Sequence, residues 1–277
     1  MLSPDFSPRL PADASARLIL MAAAALEGGE LARRSLKRRY AGEMVAKAPR
    51  DYQTEIDVAV EQTIVSRLRD SFADHAITGE EAVGNRDAAA DAPRIYIDPI
   101  DGTTNFAWGI PHFGLTIAIV EQNEVTCGVV YDAMQDELFV AEKGQGAYLN
   151  GERLSCQPVS VVEDVLIGAG LPIPGQVKTV SEDQYFHALR RLMAHTAGVR
   201  RLGSSALSLA YVAAGRLDGF FEDGLSLHDY GASVLLIREA GGLVTGFAGG
   251  PITKNGDVLA SNGGMHPWLL AGFEAEG

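Results

Sequence analysis

The sequence predicts an α/β protein in which layers of helices alternate with layers of β-sheet. Stretches with apolar residues at helical spacing alternate along the chain with short stretches rich in β-branched residues. The chain has 277 residues, 47% of them apolar, which is enough to bury a large core. Acidic residues suited to one site occur at 57–101 and again at 222–229, so the fold has to bring two parts of the chain together. We therefore expect two αβ lobes, 1–157 and 158–277, with the functional site between them.

The N-terminal region predicts an arm followed by a long helix. Residues 1–12 contain three prolines and show no periodicity, which is typical of a loose arm. Alanines and leucines at helical spacing predict a helix over 14–39, capped by Asp13 or Ser15, with a kink at the pair Gly28 and Gly29.

The next segment predicts a loop, a helix and an antiparallel meander. Residues 41–52 are polar and predict a mobile loop. Apolar residues at helical spacing predict a helix over 54–72, which places Asp57 one turn inside it. Residues 76–79 predict a short strand that delivers Glu80, and 82–93 an exposed connection. Further strands are predicted at 94–97, 113–121, 124–131 and 137–142, with hairpin turns at 144–146 and 150–151.

The C-terminal part predicts alternating helices and strands. Residues 158–175 change in character, which indicates a crossing into the second lobe. The predicted helices are 182–194, 204–214, 227–240 and 267–273, and the predicted strands are 199–202, 218–222 and 258–260.

Residues 97–105, Ile-Asp-Pro-Ile-Asp-Gly-Thr-Thr-Asn, carry the densest set of chemical groups in the chain. Pro99 cannot donate to a sheet ladder and Gly102 permits a left-handed turn, so we expect the preceding strand to stop there. Asp98 and Asp101 lie close enough in a turn to share hard cations, and the next two amides could bind an anion if a helix or turn begins there. The motif predicts a meeting point of cation and phosphate, although Asp, Pro and Gly are also ordinary turn residues.

Composition excludes several other classes of protein. No stretch is long and apolar enough for a membrane span, and the N-terminus lacks the order of a signal peptide, so we expect a cytoplasmic protein. Cys127 and Cys156 lack the spacing of a thiolate metal site and argue against a disulfide framework. The net charge of -13 disfavours nonspecific binding to nucleic acid or anionic membranes and suits cation uptake.

Three distant segments agree with the central motif. They are Gly79-Glu80-Glu81, Thr54-Glu55-Ile56-Asp57 and His228-Asp229. Together with residues 98–105 they resemble the inositol monophosphatase family of magnesium-dependent phosphatases, in order from about Lys47 to Gly242. The resemblance implies an αβαβα sandwich of the inositol monophosphatase and fructose-1,6-bisphosphatase type. It also implies a homodimer, inhibition by lithium, and a loop at 41–52 that closes over the metals.

The resemblance also implies a set of metal ligands. A site of carboxylates and one carbonyl, without His or Cys, suits two or three Mg²⁺ ions. By resemblance, Asp98 bridges two ions, Glu80 and the carbonyl of Ile100 complete the first site, and Asp101 with Asp229 holds the second. As alternatives, Glu80 is a solvated surface acid and Asp229 a helix cap.

The catalytic hypothesis pairs Thr103 with Asp57, so that the threonine hydroxyl orients the attacking water and the carboxylate accepts its proton; Glu80 is the third catalytic candidate. The alternative is a Thr that caps a helix and an Asp that pairs with an arginine. The acid next to the catalytic candidates, Glu81, is expected either to support the metal ligands from behind or to lie in solvent.

The resemblance implies a metal site in the first lobe, 1–157, and a substrate pocket in the second lobe, 158–277. The residues it assigns to substrate binding are Asp101, Gly102, Thr103, Ser204, Ser205 and Glu222. Two departures from the family pattern, His228 in place of Trp and Gly231 in place of Ala or Cys, leave the pocket shape open. His228 is expected to be a substrate contact or a satisfied histidine at a helix start, and Arg200 and Arg201 contacts to a second phosphate or surface ion pairs.

The resulting functional hypothesis is hydrolysis of a small phosphate monoester, foremost inositol monophosphate. Histidinol phosphate, fructose bisphosphate and phosphoadenosine nucleotides are the competing substrates. A different class also stays open, an interaction protein of this fold that works with transcription machinery.

Overall fold

The computed structural model describes residues 9–37, 45–48, 51–83, 85–89, 91–159, 161–172 and 175–274. Most of the predicted N-terminal arm, 1–8, lies outside the described residues. Its end is not loose, because Leu10 is only 7% exposed and Arg9 donates a hydrogen bond of 2.9 Å to the Asp136 carboxylate. The prediction of a loose arm is therefore wrong for these two residues.

Helix α1 (Ala16–Ser35) begins at Ser15, whose hydroxyl oxygen accepts a hydrogen bond from the Leu18 amide. It continues through Gly28 and Gly29, and the kink expected there stays a prediction. A Cβ on Gly29 would lie 2.4 Å from the Tyr131 ring, and one on Gly28 would lie 3.0 Å from Ile64. The glycines therefore serve close packing of α1 against its neighbours.

Helix α2 (Glu55–Leu68) starts with a capping box in which the Thr54 and Asp57 side chains each accept a main-chain hydrogen bond from the other end of the box. Before α2, the strands β1 (Val45–Ala48) and β2 (Asp51–Gln53) pair as an antiparallel hairpin. The prediction of an irregular loop over 41–52 is wrong for these residues, because four-residue and three-residue strands give too short a pattern to distinguish from a loop; 41–44 and 49–50 lie outside the described residues.

The larger sheet has seven strands, which follow one another across the sheet in chain order. The first pair is parallel and the remaining neighbours are antiparallel, as predicted for the meander. The strands are β3 (Ala76–Gly79), β4 (Arg94–Asp101), β5 (Gly114–Glu121), β6 (Glu124–Asp132), β7 (Glu137–Glu142), β8 (Gly146–Leu149) and β9 (Glu152–Arg153). Helix α3 (Thr103–Trp108) connects β4 to β5.

The smaller sheet has five strands in the order β11-β10-β12-β14-β13. The strands are β10 (Leu166–Ala169), β11 (Gly198–Arg200), β12 (Gly219–Glu222), β13 (Leu243–Thr245) and β14 (Val258–Ser261). The C-terminal helices are α4 (Glu182–His195), α5 (Ser205–Ala213), α6 (Leu227–Glu239) and α7 (His266–Leu270). Strands β10 and β13 were not predicted, since three or four residues show too little alternation.

Apolar contacts stack these elements in five layers. Helices α1 and α2 pack on one face of the larger sheet, where residues such as Ile64 and Ile95 are fully buried. Helices α5 and α6 fill the space between the two sheets, with Leu236 in the same cluster as Phe139 of β7. Helices α4 and α7 cover the outer face of the smaller sheet. The order αβαβα confirms the predicted fold class.

Candidate active site

The central motif folds as an irregular strand end followed by a turn. Strand β4 pairs with β5 through Asp98 and again at Asp101, with a register shift between them that contains Pro99. The strand passes Pro99, because the irregularity accommodates a residue that has no N–H to donate, so the predicted range 94–97 is too short. It ends at Asp101, directly before the predicted turn residue Gly102. Gly102 has φ 103°, in the left-handed region that glycine favours, and α3 begins at Thr103.

Three carboxylates converge at this turn. Oxygens of Asp98, Asp101 and Asp229 all lie within 4.8 Å of one another. Asp229 is about 130 residues away from the other two in sequence and lies in the first turn of helix α6. Asp98 is 1% exposed and Asp101 is 7% exposed. The fold thus brings together the acids from the two distant stretches of sequence.

Burial and mutual repulsion make these carboxylates hard to ionise. Burial raises the pKa of Asp98 well above its usual range, and the charges of Glu80, Asp101 and Asp229 raise it further. Burial and Asp229 raise the pKa of Asp101 to about 8, and burial followed by the charge of Glu80 raises that of Asp229 to about 6. Like charges concentrated in a site of low dielectric call for a compensating cation.

Glu80 stands beside the three-carboxylate cluster rather than within it. Its main-chain N–H donates to the Ile97 carbonyl at 3.0 Å, which extends the pairing of β3 with β4. Its exposed side chain comes within hydrogen-bonding reach of Asp98. The main chain of Ile100 also faces this region, since its N–H donates to Asp98 Oδ1 at 2.9 Å and its carbonyl accepts from the Thr103 hydroxyl at 3.0 Å.

Thr103 and Asp57 meet as the sequence analysis expected. The Thr103 hydroxyl lies 3.2 Å from Asp57 Oδ1 and 3.0 Å from the Ile100 carbonyl oxygen. Asp57 is fully buried, and its other oxygen accepts from the main-chain N–H and the hydroxyl of Thr54. Burial raises its pKa, and the hydrogen bonds from Thr54 and Thr103 oppose the rise. These contacts do not support the alternative in which Asp57 pairs with an arginine.

Asp101 joins the cluster to the start of helix α5. Its carboxylate accepts hydrogen bonds from the Ser204 hydroxyl and from the main-chain N–H groups of Ser205, at 3.3 Å, and Ala206, at 2.8 Å. A Cβ on Gly102 would lie 2.9 Å from the Gly203 carbonyl oxygen, so only glycine permits this approach of the two turns. Asp101, Gly102 and the turn at 203–206 thus form one continuous wall of the candidate site.

Glu222 continues this wall at the end of β12. Its Oε2 accepts a hydrogen bond of 2.7 Å from the Ser205 hydroxyl, and its Oε1 accepts one of 3.1 Å from the Gln176 amide. Burial raises the pKa of Glu222, and the hydrogen bond from Ser205 and the positive charge of Arg201 oppose the rise. Arg200 is exposed and donates to the Val199 carbonyl oxygen.

His228 has local hydrogen-bonding partners at the start of α6. Its Nε2 lies 3.2 Å from the Thr78 carbonyl oxygen and its Nδ1 lies 3.2 Å from the Ser226 hydroxyl. The ring also makes an edge contact with Tyr96, at 5.2 Å between centroids. These contacts favour the satisfied histidine over the substrate contact. The Ser226 N–H donates to Asp229 Oδ2 at 2.6 Å, so Asp229 caps its helix while it also belongs to the cluster.

Gly231 belongs to the packing of α6 on the larger sheet. A Cβ at this position would lie 3.3 Å from Ala118 Cβ, which is tight but not a clash. The departure from the family pattern at Gly231 therefore affects the contact between α6 and the larger sheet.

Sequence reasoning missed Glu61. This side chain is fully buried on α2, and its two oxygens accept hydrogen bonds from the main-chain N–H groups of Glu81, at 2.7 Å, and Val83, at 2.6 Å. It thereby shapes the turn that carries Glu80. The available signal was its position four residues after Asp57, on the same face of a predicted helix.

Sequence reasoning also missed Asn105, which links helix α3 to the turn before α5. Its amide nitrogen donates to the carbonyl oxygens of His112 and Leu202, both at 2.8 Å. This ties α3 to the turn before α5. Nothing in the sequence identifies the partner carbonyls, since Asn105 and Leu202 are far apart in the chain.

The donor set fits a hard divalent cation. Asp98, Asp101 and Asp229 offer carboxylate oxygens, and Glu80 comes within hydrogen-bonding reach of Asp98. The main chain of Ile100 contacts Asp98 through its N–H. Oxygen ligands without imidazole or thiolate suit Mg²⁺ or Ca²⁺ rather than Zn²⁺ or Cu²⁺. A cation here would also relieve the repulsion between the buried acids.

A profile of the inositol monophosphatase family matches residues 14–277. The chain belongs to the inositol monophosphatase family. The resemblance noted in the sequence is therefore confirmed for nearly the whole chain.

Relatives in this family carry two kinds of name. A Pseudomonas aeruginosa protein called Nus factor SuhB is 43% identical over 86% of this chain and 89% of its own length. A Mesorhizobium japonicum protein called inositol-1-monophosphatase is 41% identical over 90% of this chain and 92% of its own length.

Solved structures agree with the fold. The suhB extragenic suppressor protein of Bartonella henselae gives a TM-score of 0.86 at 36% identity, covering 94% of this chain and 99% of its own. The Thermotoga maritima IMPase gives 0.82 at 32% identity, covering 94% and 97%. Among the described residues, no helix has the length and apolarity needed to span a membrane.

Proposed function

We propose that this protein is a Mg²⁺-dependent phosphatase that hydrolyses a small phosphate monoester, with inositol monophosphate as the favoured substrate. The observation that carries the proposal is the cluster of Asp98, Asp101 and Asp229, whose oxygens lie within 4.8 Å of one another beside the paired Thr103 and Asp57. The family match and the relative named inositol-1-monophosphatase support the same chemistry.

In this proposal Asp98, Asp101, Asp229, Glu80 and the Ile100 carbonyl hold two or three Mg²⁺ ions. Bound Mg²⁺ would supply charge neutralisation on the phosphoryl oxygens, a lower pKa for water, and stabilisation of the leaving alkoxide. Asp98, Asp101 and Asp229 would fix the positions of the bound cations. These three carboxylates are buried or half-buried, and each accepts a main-chain hydrogen bond.

Thr103 and Asp57 form the proposed device for the attacking water. The Thr103 hydroxyl has two acceptors in reach, Asp57 Oδ1 and the Ile100 carbonyl oxygen. In this proposal its one hydrogen goes to Asp57, which leaves the oxygen lone pairs to accept a hydrogen from water. Thr54 holds the Asp57 carboxylate by two hydrogen bonds, so the Thr103 hydroxyl that contacts Asp57 is kept in one orientation. Such positioning of a proton acceptor supports general base catalysis.

The proposed substrate position lies along the wall from Gly102 to Glu222. The phosphate would meet the main-chain amides of Gly102 and Thr103, and the alcohol part would extend toward Ser204, Ser205 and Glu222. Glu222 offers the acceptor that hydroxyl groups of a polyol require.

Phosphate release from a panel of esters tests the proposal. The panel contains inositol 1-phosphate, histidinol phosphate, fructose 1,6-bisphosphate, a phosphoadenosine nucleotide and 4-nitrophenyl phosphate, each with Mg²⁺ and with EDTA. We expect Mg²⁺-dependent turnover with inositol 1-phosphate as the preferred ester. No turnover of any ester with Mg²⁺ would overturn the phosphatase assignment, and preference for another ester would overturn the substrate alone.

A second candidate function is a role as a partner of the transcription machinery. It is favoured by the 43% identity to the protein named Nus factor SuhB. Complementation of a deletion strain by Asp101→Asn distinguishes the two functions. Full complementation by a variant without phosphatase activity would favour the partner role, and loss of complementation together with activity would favour the enzyme.

We further propose that the protein is a homodimer, as the family resemblance implies. Light scattering during size-exclusion chromatography measures the mass directly. A mass near 29.4 kDa, that of one chain, would contradict the proposal.

A further inference from the structure

Glu222 is held from two sides by neutral donors. The Ser205 hydroxyl donates to Oε2 at 2.7 Å, and the Gln176 amide donates to Oε1 at 3.1 Å. Glu222 itself is 9% exposed. Ser205 belongs to the turn that also binds Asp101, whereas Gln176 comes from the segment between β10 and α4. The orientation of this carboxylate therefore depends on a residue outside the turn that holds the acidic cluster.

Asp223 and Gly224, the two residues after Glu222, contact the segment that carries Gln176 and hold it next to Glu222. Asp223, which is 1% exposed, accepts hydrogen bonds from the main-chain N–H groups of Lys178, at 2.6 Å, and Thr179, at 2.7 Å. The Thr179 hydroxyl donates to its other oxygen at 3.0 Å. A Cβ on Gly224 would lie 2.8 Å from the Gln176 carbonyl oxygen. Residues 222–224 thus determine where the Gln176 side chain lies.

The two donors leave a defined acceptor capacity on Glu222. An ionised carboxylate has about four acceptor positions, two on each oxygen. Ser205 and Gln176 each occupy one, on different oxygens. Among the hydrogen bonds of the described residues, these two leave one position on each oxygen for further donors. Two acceptors at the spacing of a carboxylate match two neighbouring hydroxyl groups of an alcohol.

We propose that Gln176 is a positioning residue that determines specificity, because it orients Glu222 to accept hydrogen bonds from neighbouring hydroxyl groups on the alcohol part of the substrate. The inference rests on the proposed phosphatase function and narrows its substrate class. Monophosphates of polyols are selected, and phosphate esters whose alcohol has no such hydroxyl groups gain nothing from this contact. The Gln176 amide acts on the alcohol part through Glu222, to which it donates.

Steady-state kinetics of Gln176→Met with two esters test this. Met has nearly the size of Gln and lacks the amide donor. Inositol 1-phosphate carries hydroxyl groups next to the ester, and 4-nitrophenyl phosphate carries none. We expect kcat/KM for inositol 1-phosphate to fall about tenfold, mainly through a higher KM, as for the loss of one hydrogen bond to a charged group. For 4-nitrophenyl phosphate we expect a change of less than about twofold.

Two further variants keep the result interpretable. Gln157→Met is the matched control, because Gln157 is exposed and its amide also donates one hydrogen bond, to Ser155 at 3.2 Å. Gln176→Asn retains an amide that is one methylene shorter, so it should show the same selective loss if Gln176→Met does not fold. An equal loss for both esters, or no loss for either, would overturn the role of Gln176 while leaving the phosphatase intact. A wild-type protein inactive on both esters with Mg²⁺ would overturn the phosphatase and this inference together.

Discussion

Asp57 and Glu61 lie one turn apart on helix α2, and each buried carboxylate fixes a different part of the candidate site. Asp57 accepts from the Thr103 hydroxyl, at the start of α3. Glu61 accepts from the main-chain N–H groups of Glu81 and Val83, in the turn after β3. One helix face therefore supports both the proposed water-orienting pair and the turn of Glu80.

The first prediction concerns Glu61→Gln. The amide of Gln would point an N–H₂ group at a main-chain N–H, so one of the two hydrogen bonds to the turn of Glu80 would be lost. We expect the Mg²⁺ concentration for half-maximal activity to rise about tenfold, as for other residues that orient metal ligands, with a smaller change in kcat at saturating Mg²⁺. A Mg²⁺ titration of phosphate release measures this. Glu55→Gln, an exposed position on the same helix, is the control, and equal half-saturation in both variants would refute the role of Glu61.

The second prediction concerns the hydroxyl of Thr103. Thr103→Val has the same shape without the hydroxyl, and we expect kcat to fall about a hundredfold or more, the usual contribution of a positioned proton acceptor. Thr103→Ser keeps the hydroxyl and should retain most of the activity. Steady-state kinetics of the two variants, with melting temperatures to check folding, decide the matter. If the valine variant kept the activity of the serine variant, the hydroxyl would have no part in the reaction.

The third prediction concerns stability without metal. Folding raises the pKa of Asp229 to about 6 and that of Asp101 to about 8 from the ordinary 3.8, so both bind their protons more strongly in the folded chain. Their contribution therefore favours folding at low pH and is lost as the pH rises from about 4 to about 8. We expect the melting temperature in EDTA to fall across this range, and the fall to be smaller in Asp101→Asn.

Saturating Mg²⁺ provides the control for this measurement. A cation binds the ionised carboxylates, so the stabilisation it gives should grow with pH and oppose the fall. A melting temperature in EDTA that rises from about pH 5 to about pH 8, or that falls equally in Asp101→Asn, would contradict the account.

Much of the fold followed from periodicity in the sequence. The helices α2, α4, α5 and α6 and the strands β5 to β7 lie close to their predicted positions, because each has several apolar residues at a clear spacing. Strands β10 and β13 were missed, because three or four residues carry little pattern. The close packing at the glycine pair in α1 was not predicted, because the partner Tyr131 lies about a hundred residues away and only tertiary packing shows the contact.

The candidate site divides in a similar way. Asp98, Asp101 and Asp229 were predicted as a group through the family resemblance, and the structure places them together. Gln176 was not predicted, because a single polar residue in an irregular segment has no local signal. Its contact with Glu222 depends on the fold that places β12 beside this segment.

The most direct test of the proposed metal-dependent chemistry is phosphate release by Asp98→Asn at saturating Mg²⁺. Asn keeps the shape of Asp98 and removes one negative charge from the buried cluster, so folding should survive and the melting temperature without metal should stay the same or rise. We predict that turnover is nearly abolished, because the proposed cation sites share this carboxylate. Turnover close to that of the wild type at saturating Mg²⁺ would contradict the account.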